Sequence, residues 1–149
     1  MGTKEENCRE GILRLSRIAA ISAQSPFYRT EPVDYRDQDW FVNAAVCIRT
    51  ELEPRELLVK LQAIQTELGR KKDTVRFGPR LLDLDILMVD DLVIKTPQLT
   101  VPHPRMHQRR FVLQPMCDID PNIVHPVLKE TVTVLLERLD EEGQALVRM

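Results

Sequence analysis

The chain has 149 residues, of which 43% are hydrophobic and 30% charged, with a formal net charge of −2, as expected for a single globular domain, residues 1–149, with a buried core. This small net charge gives no electrostatic case for nucleic acid, and no apolar run is long enough to cross a bilayer. Three widely spaced cysteines argue against a disulfide framework, and the N-terminus lacks the apolar core of a signal peptide, so we expect a cytoplasmic protein.

The first third of the chain predicts a helix followed by two strands. Apolar residues recur at helical spacing over residues 5–20, which predicts an amphipathic helix. Residues 21–29 and 40–50 predict strands, with Pro26 interrupting the first. The acidic stretch 30–39 between them predicts a long loop, and such loops often close over ligands.

A second helix is predicted to begin at Pro54 and to end with Gly69 at its C′ position. Its expected buried stripe consists of Leu57, Leu58, Leu61, Ile64 and Leu68. A basic loop follows, and its cationic residues are Arg70, Lys71, Lys72, Arg76 and Arg80.

An alternating segment, residues 82–88, follows the basic loop and predicts a strand. Its two acids, Asp83 and Asp85, share one face, and the other face carries Leu82, Leu84, Ile86 and Met88. Residues two apart on a strand are about 6.5 Å apart, so a pair of divalent cations would relieve the repulsion between these carboxylates. The alternative for an isolated Asp-x-Asp is two solvated acids on an open sheet face.

The remainder predicts shorter elements and one more helix. A turn at Asp90 and Asp91 leads to a return strand over residues 92–95, and residues 99–103 are expected to be extended. Residues 111–113 predict a strand stopped by Pro115, and residues 131–139 predict a helix.

This element order predicts an α+β fold, an α/β/α sandwich with helices on a mainly antiparallel sheet. A ferredoxin-like core has the order β-α-β-β-α-β, and this chain shows that order with the first strand apparently missing.

Together, these motifs resemble those of the 6-hydroxymethyl-7,8-dihydropterin pyrophosphokinase family. The Gly-Pro-Arg-x-Leu-Asp-Leu-Asp-Ile segment followed by Leu-Thr-Val-Pro-His is the most specific part of the resemblance. The matching stretches are Phe27-Tyr-Arg-Thr-Glu-Pro32, Phe41-Val-Asn-Ala-Ala45, Leu68-Gly-Arg70, Arg76-Phe-Gly-Pro-Arg-Leu-Leu-Asp-Leu-Asp-Ile86 and Leu99-Thr-Val-Pro-His103, with Met106, Arg109, Phe111 and Pro115.

The resemblance implies transfer of a pyrophosphoryl group from ATP to the pterin hydroxymethyl group, with release of AMP, in folate biosynthesis. It implies that Asp83 and Asp85 bind two magnesium ions, since hard oxygen ligands suit magnesium. It further implies that Arg70 and Arg80, on a mobile loop, stabilise the phosphate chain in the transition state.

The resemblance also assigns the pterin pocket. Phe41 and Phe111 match two stacking aromatics, and Asn43 matches the residue that pairs with the pterin edge. Thr30 and Val33 match positions that bond the pterin through the backbone or line its pocket. Spacing alone leaves simple core packing open for both phenylalanines.

The matching nucleotide positions are Gln62, Gln65, Lys72, Phe77, Arg80, Ile86, Gln98, Thr100, His103 and Arg109. Four of them depart from the usual family residue: Gln65 replaces Glu, Phe77 replaces Trp, and Lys72 and Gln98 replace Arg. Next to His103, Pro104 stands at a position often held by Tyr. A lone histidine after a proline is more often structural or solvated, and His103 is included only through its motif.

The family opens with a central strand ending in Gly-Ser-Asn, for which this chain has no match. Neighbouring strands without it would face each other with unpaired backbone groups. We therefore expect a truncated start, or another segment or subunit in that slot. The alternative function is a non-catalytic pterin- or nucleotide-binding homologue, inactivated by loss of that strand. The oligomeric state, a monomer included, and fusion to other folate enzymes stay open.

Overall fold

A computed structural model describes residues 4–30, 40–71, 82–139 and 145–149 of the chain, and for residues 70 and 71 it describes the backbone only. The four α-helices of this part are α1 (Lys4–Leu15), α2 (Pro54–Lys71), α3 (Arg110–Ile119) and α4 (Val132–Glu137), and a 3-10 turn spans Met106–Gln108. The strands are β1 (Ala20–Gln24), β2 (Tyr28–Thr30), β3 (Phe41–Asn43), β4 (Val46–Arg49), β5 (Ile94–Lys95), β6 (Thr100–Val101) and β7 (Leu146–Arg148).

The helices and strands predicted for the first half of the chain are largely confirmed, but several of their ends are shifted. Helix α1 ends at Leu15 rather than residue 20, because the chain turns through short i→i+3 bonds such as Ile18 N to Leu15 O, 3.0 Å. Pro26 does divide the predicted strand, into β1 and β2. Helix α2 begins at Pro54 as predicted, but Gly69 lies inside it rather than at C′, since the helix continues to Lys71.

The apolar stripe of α2 faces the core as predicted. Leu57, Leu61, Ile64 and Leu68 are buried and Leu58 is half-buried. Burial at a spacing of three and four residues is what an amphipathic helix requires.

The second half contains two wrong predictions. Residues 111–113 belong to helix α3, not to a strand, and Pro115 lies inside that helix. The reason is non-local, since Leu113 and Met116, one helical turn apart, are buried in a core that other elements complete. Residues 82–89 adopt no assigned strand, although the inward and outward alternation holds over residues 82–86. The helix predicted over residues 131–139 is confirmed as α4, with Thr131 at its N-cap.

The described strands form three small antiparallel sheets. β1 pairs with β4, β5 pairs with β6, and β2 lies between β3 and β7. The predicted return strand is therefore confirmed at β5, but its partner is β6 rather than the preceding segment. Strand β7, which no local pattern predicted, completes the sheet around β2. The mixture of helices and antiparallel sheets is an α+β arrangement.

Residues 82–89 contact two separate apolar clusters. Leu84 and Ile86 pack against the cluster of Leu15, Leu57 and Leu61, which belongs to α1 and α2. The next two residues, Leu87 and Met88, instead pack against the second cluster, whose buried members are Met106, Leu113, Met116, Val132 and Leu135. The prediction that Met88 shares the face of Ile86 is therefore wrong. Among the described residues, no helix is long and apolar enough to cross a membrane.

Gly11 allows the 82–89 segment to lie close to α1. It is buried in that helix, and a Cβ added there would overlap Cδ2 of Leu82. Leu82 directly precedes Asp83, so the absence of a side chain at residue 11 helps to set where the first carboxylate lies.

We expect Gly11→Ala to lower the free energy of unfolding by about 1 kcal/mol. Overpacking of the alanine methyl group against Leu82 costs about 1–3 kcal/mol, and the higher helix propensity of alanine than of glycine offsets about 1 kcal/mol of this cost. In a Leu82→Ala background, the same change should stabilise the protein by up to about 1 kcal/mol, because the overlap is gone. Urea denaturation of the four proteins measures this coupling, and equal effects of Gly11→Ala in both backgrounds would contradict it.

Candidate active site

The segment carrying the two acids holds both carboxylates at the surface. Asp83 and Asp85 are exposed, whereas Leu82, Leu84 and Ile86 between and beside them are half-buried. Packing of these apolar side chains against α1 and α2 thus orients the intervening acids outward. The predicted placement of the two aspartates on one face is confirmed over this stretch.

Gln65 of α2 fixes the backbone between the two acids. Its side-chain Oε1 accepts a hydrogen bond of 2.6 Å from the backbone N–H of Leu84. Gln65 stands at a position predicted for nucleotide binding, and the structure gives its carbonyl oxygen a partner within the chain. The residue therefore links the helix directly to the carboxylate-bearing segment.

A cleft of about 210 Å³ adjoins Asp85. Asp85 lines this cleft together with four residues that are predicted to bind the nucleotide: Ile86, Gln98, Thr100 and His103. These five residues come from two stretches of sequence, residues 85–86 and 98–103. A backbone hydrogen bond of 2.8 Å from His103 N to Leu87 O connects the two stretches. A larger depression of about 650 Å³ lies near the start of α2 and contains none of the predicted site residues.

The surroundings of His103 favour its neutral form. Burial lowers its pKa below the ordinary value of 6.5; Asp85 raises this pKa, whereas Arg109 and Arg105 lower it further. The ring Nδ1 accepts a hydrogen bond of 3.1 Å from Arg105 N. The neutral ring therefore carries its hydrogen on Nε2, which makes that nitrogen the donor.

Strands β2 and β3 bring together three of the predicted pterin residues. Thr30 pairs directly with Phe41, and Asn43 pairs with Tyr28. Across these pairs, Asn43 Nδ2 donates to Thr30 Oγ1 at 3.1 Å, and Thr30 is only 1% exposed. This bond orients the amide of Asn43, which keeps its Oδ1 and a second N–H for other partners.

Phe41 is 44% exposed, and a cation covers one of its ring faces. The Lys4 ammonium lies 5.2 Å from the ring centroid and donates to Trp40 O at 3.3 Å. Simple core packing, the alternative for this residue, is therefore wrong for Phe41. A heterocycle stacking on the same face would have to displace Lys4.

Arg109 and Phe111, predicted for different ligands, contact each other where α3 begins. The Arg109 guanidinium carbon lies 5.6 Å from the centroid of the Phe111 ring. Both residues are half-buried. A position predicted for the nucleotide and one predicted for the pterin thus meet at one helix end.

Several predicted residues lie outside the described part of the chain. These are Val33, Lys72, Phe77 and Arg80, together with the side chain of Arg70 at the end of α2. Gln62 is described and is exposed on α2, outside the cleft lining.

The donor chemistry of Asp83 and Asp85 fits magnesium. Within the described ranges, no group of three or more His, Cys, Asp or Glu side chains could hold a metal ion. Magnesium commonly uses one or two carboxylates together with substrate phosphates, rather than a cage made wholly of protein ligands. Two exposed carboxylates beside the cleft suit that mode of binding.

Four lining residues were not predicted as site residues: Leu58, Leu84, Leu99 and Pro104. The stripe of α2 did identify Leu58 as inward-facing, and Leu84 was predicted on the apolar face of its segment. Their role as cleft walls required the packing of α2 against residues 82–104, which no local pattern contains.

Comparisons with known proteins identify the family of this chain. A family model described as 7,8-dihydro-6-hydroxymethylpterin-pyrophosphokinase matches residues 1–121. A 2-amino-4-hydroxy-6-hydroxymethyldihydropteridine pyrophosphokinase of Bacillus subtilis is 47% identical over 121 residues, covering 80% of this chain and 72% of that protein. Its counterpart in Methylorubrum extorquens is 42% identical over 123 residues, covering 83% of this chain and 76% of that protein.

A longer relative also matches. The "Folic acid synthesis protein FOL1" of Dictyostelium discoideum is 39% identical over 143 residues, or 96% of this chain. The chain spans only 22% of that protein's length. The described fold is that of a mixed helix-and-sheet protein with a cleft beside Asp85. The chain belongs to the 7,8-dihydro-6-hydroxymethylpterin-pyrophosphokinase family, which confirms the resemblance seen in its motifs.

The bond from Leu84 to Gln65 predicts a specific pattern of amide exchange. Gln65→Leu removes the acceptor, so the Leu84 amide should exchange with solvent about tenfold faster or more. Gln65→Glu retains an acceptor oxygen and should preserve most of the protection.

Gln62→Leu, on the exposed side of the same helix, is the matched control and should change nothing at Leu84. Nuclear magnetic resonance hydrogen exchange measures all three variants. Unchanged Leu84 exchange in Gln65→Leu would show that the bond does not hold the segment.

Proposed function

We propose that this chain transfers pyrophosphate from ATP to 6-hydroxymethyl-7,8-dihydropterin and releases AMP, in folate biosynthesis. The pterin hydroxyl oxygen forms a bond to the β-phosphorus while the bond from the bridging oxygen to that phosphorus breaks. AMP leaves with the bridging oxygen, and the hydroxyl loses its proton. The single observation that carries this proposal is the convergence of Asp85 with four predicted nucleotide residues in one cleft.

Asp83 and Asp85 would hold two magnesium ions in this reaction. When bound, the ions would neutralise charge on the phosphates and align the reacting groups. The described residues lining the cleft include no Lys or Arg, so a polyanion placed there depends on charge from elsewhere. Arg70, Lys72 and Arg80, in the basic stretch, and Arg109 are the residues we propose for that role.

The nucleotide would lie against Ile86, Gln98, Thr100 and His103. Because its Nδ1 is already bonded to the backbone, neutral His103 offers a donor at Nε2. Gln62, Gln65 and Phe77 complete the proposed contacts. A neutral imidazole can donate a hydrogen bond to the nucleotide without bringing a charge into the site.

The pterin would lie between the β2–β3 pair and the start of α3. Asn43 is oriented by Thr30 and keeps amide groups that can pair with a heterocycle edge. Phe41 and Phe111 would stack on the ring, which contributes about 0.5–1.5 kcal/mol for each contact. Val33 is proposed to line the pocket with Thr30.

We also propose that the finer fold is the ferredoxin-like α/β/α sandwich with a further strand beside residues 82–89. In support, Val46 and Ile48 of β4 pack on the same cluster as Leu84 and Ile86. Within the described ranges, β4 pairs only with β1, and residues 82–89 join no sheet. A strand between them would pair both edges.

The reaction itself predicts a sharp dependence on the two acids. Asp83→Ala and Asp85→Ala should each reduce kcat by about 100-fold or more, since several kcal/mol of charge stabilisation is lost. Both side chains are exposed, so the melting temperature should change little. AMP release with ATP, magnesium and the pterin is the assay, and chelation of magnesium should abolish it.

Asp91→Ala, an exposed acid in the turn downstream, is the matched control and should retain near-normal turnover. Near-normal rates in either Asp83→Ala or Asp85→Ala would refute the metal role. The non-catalytic alternative predicts pterin binding without AMP release by the unmodified chain, and nothing in the comparisons supports it. The cytoplasmic location stays a prediction.

A further inference from the structure

Two elements distant in sequence meet through a buried tyrosine. Tyr28 of β2 is 6% exposed, and its hydroxyl donates a hydrogen bond to Oδ2 of Asp118 in the last turn of α3. Gln114, one turn earlier on that helix, donates to Oδ1 of the same carboxylate at 3.3 Å. The carboxylate is therefore held by both elements at once.

The tyrosine hydroxyl remains a donor over the whole physiological range. Burial, and then the hydrogen bond to Asp118 and its charge, raise the pKa of Tyr28 to about 12, although Arg148 of β7 and Gln114 act in the opposite direction. Arg148 pairs directly with Tyr28 across the sheet. The Tyr28–Asp118 bond is thus a neutral donor to a charged acceptor, which is among the stronger kinds.

The Tyr28–Asp118 bond joins β2 to α3, and residues proposed to bind the pterin lie on α3 and on the β2–β3 pair. Tyr28 pairs with Asn43, and Thr30, two residues along β2, pairs with Phe41. On α3, Phe111 precedes Gln114 by three residues and Asp118 by seven, so all three lie on one face of the helix. The face that bonds β2 through Asp118 is therefore the face that carries Phe111.

We propose that Asp118, acting through Tyr28, is a positioning residue for the pterin pocket. The bond sets the spacing between Phe111 on α3 and the residues of the β2–β3 pair. A helix of ten residues is rigid over its length of about 15 Å, so the anchor at Asp118 orients the ring near the opposite end. Neither residue needs to touch the substrate, and the inference rests on the proposed function.

The inference predicts a selective effect on one substrate. Tyr28→Phe removes only the hydroxyl, and Asp118→Ala removes only the acceptor at an exposed position. Each should raise the KM for the pterin about tenfold and leave the KM for ATP nearly unchanged. The double variant should be no worse than either single variant, because both remove the same bond. Asp118→Asn keeps an acceptor oxygen and should recover most of the loss.

Asp120→Ala is the matched control. Asp120 is the C-cap residue of α3, and its side-chain Oδ1 accepts a hydrogen bond from Asn122 N at 2.9 Å that does not involve β2. It should lower the melting temperature without raising the pterin KM. Three results would overturn the inference. Asp120→Ala could raise the pterin KM as much as Asp118→Ala does. Alternatively, Tyr28→Phe or Asp118→Ala could raise the KM for ATP and the KM for the pterin equally, or Tyr28→Phe could leave the pterin KM unchanged.

An error in the proposed function can be told apart from an error in this inference. If the unmodified chain releases no AMP, the proposed reaction is wrong, and equilibrium pterin binding then decides the positioning role. Weaker pterin binding by Tyr28→Phe, with unchanged binding of an ATP analogue, would sustain it. Equal binding by both proteins, or no pterin binding by the unmodified chain, would overturn it.

Discussion

Apolar packing of one extended segment, residues 82–89, determines how the acidic site is presented. Leu84 and Ile86 are drawn into the cluster formed with α1 and α2, while Leu87 and Met88 join the cluster of α3 and α4. Full burial of a leucine-sized side chain is worth about 1.5–3 kcal/mol, so even the partial burial of these four side chains outweighs the repulsion between two exposed carboxylates. The acids are exposed because their neighbours are buried.

The site combines a rigid support with exposed charge. Gln65 bonds the backbone between the two acids, and His103 N bonds Leu87 O on the same segment. The cleft beside them is walled by leucines and by His103, and its described lining holds one acid and no Lys or Arg. A polyanion there is unfavourable until cations and arginines contribute charge, which is the arrangement expected of a site for metal-bound phosphates.

The residues proposed for the pterin and those proposed for the nucleotide lie on different elements of the structure. Strands β2 and β3 supply Thr30, Phe41 and Asn43, whereas the cleft is lined from residues 85–86 and 98–104. Arg109 and Phe111 contact each other where α3 begins, and Asp118 near its end is bonded to β2. Helix α3 therefore bonds to the strand that carries Thr30, and it begins beside Arg109, a residue proposed for the nucleotide.

The sequence by itself determined the family, the stripe of α2, the start of that helix at Pro54 and the alternation that places Asp83 and Asp85 outward. These features depend on local periodicity, on backbone chemistry and on motif residues that are adjacent in the chain. Tertiary structure alone decided that residues 111–113 are helical, that β7 pairs with β2, and that Tyr28 reaches Asp118. Short apolar runs fit a helix or a strand equally well, and strand pairing or a bond across 90 residues depends on partners that no local window contains.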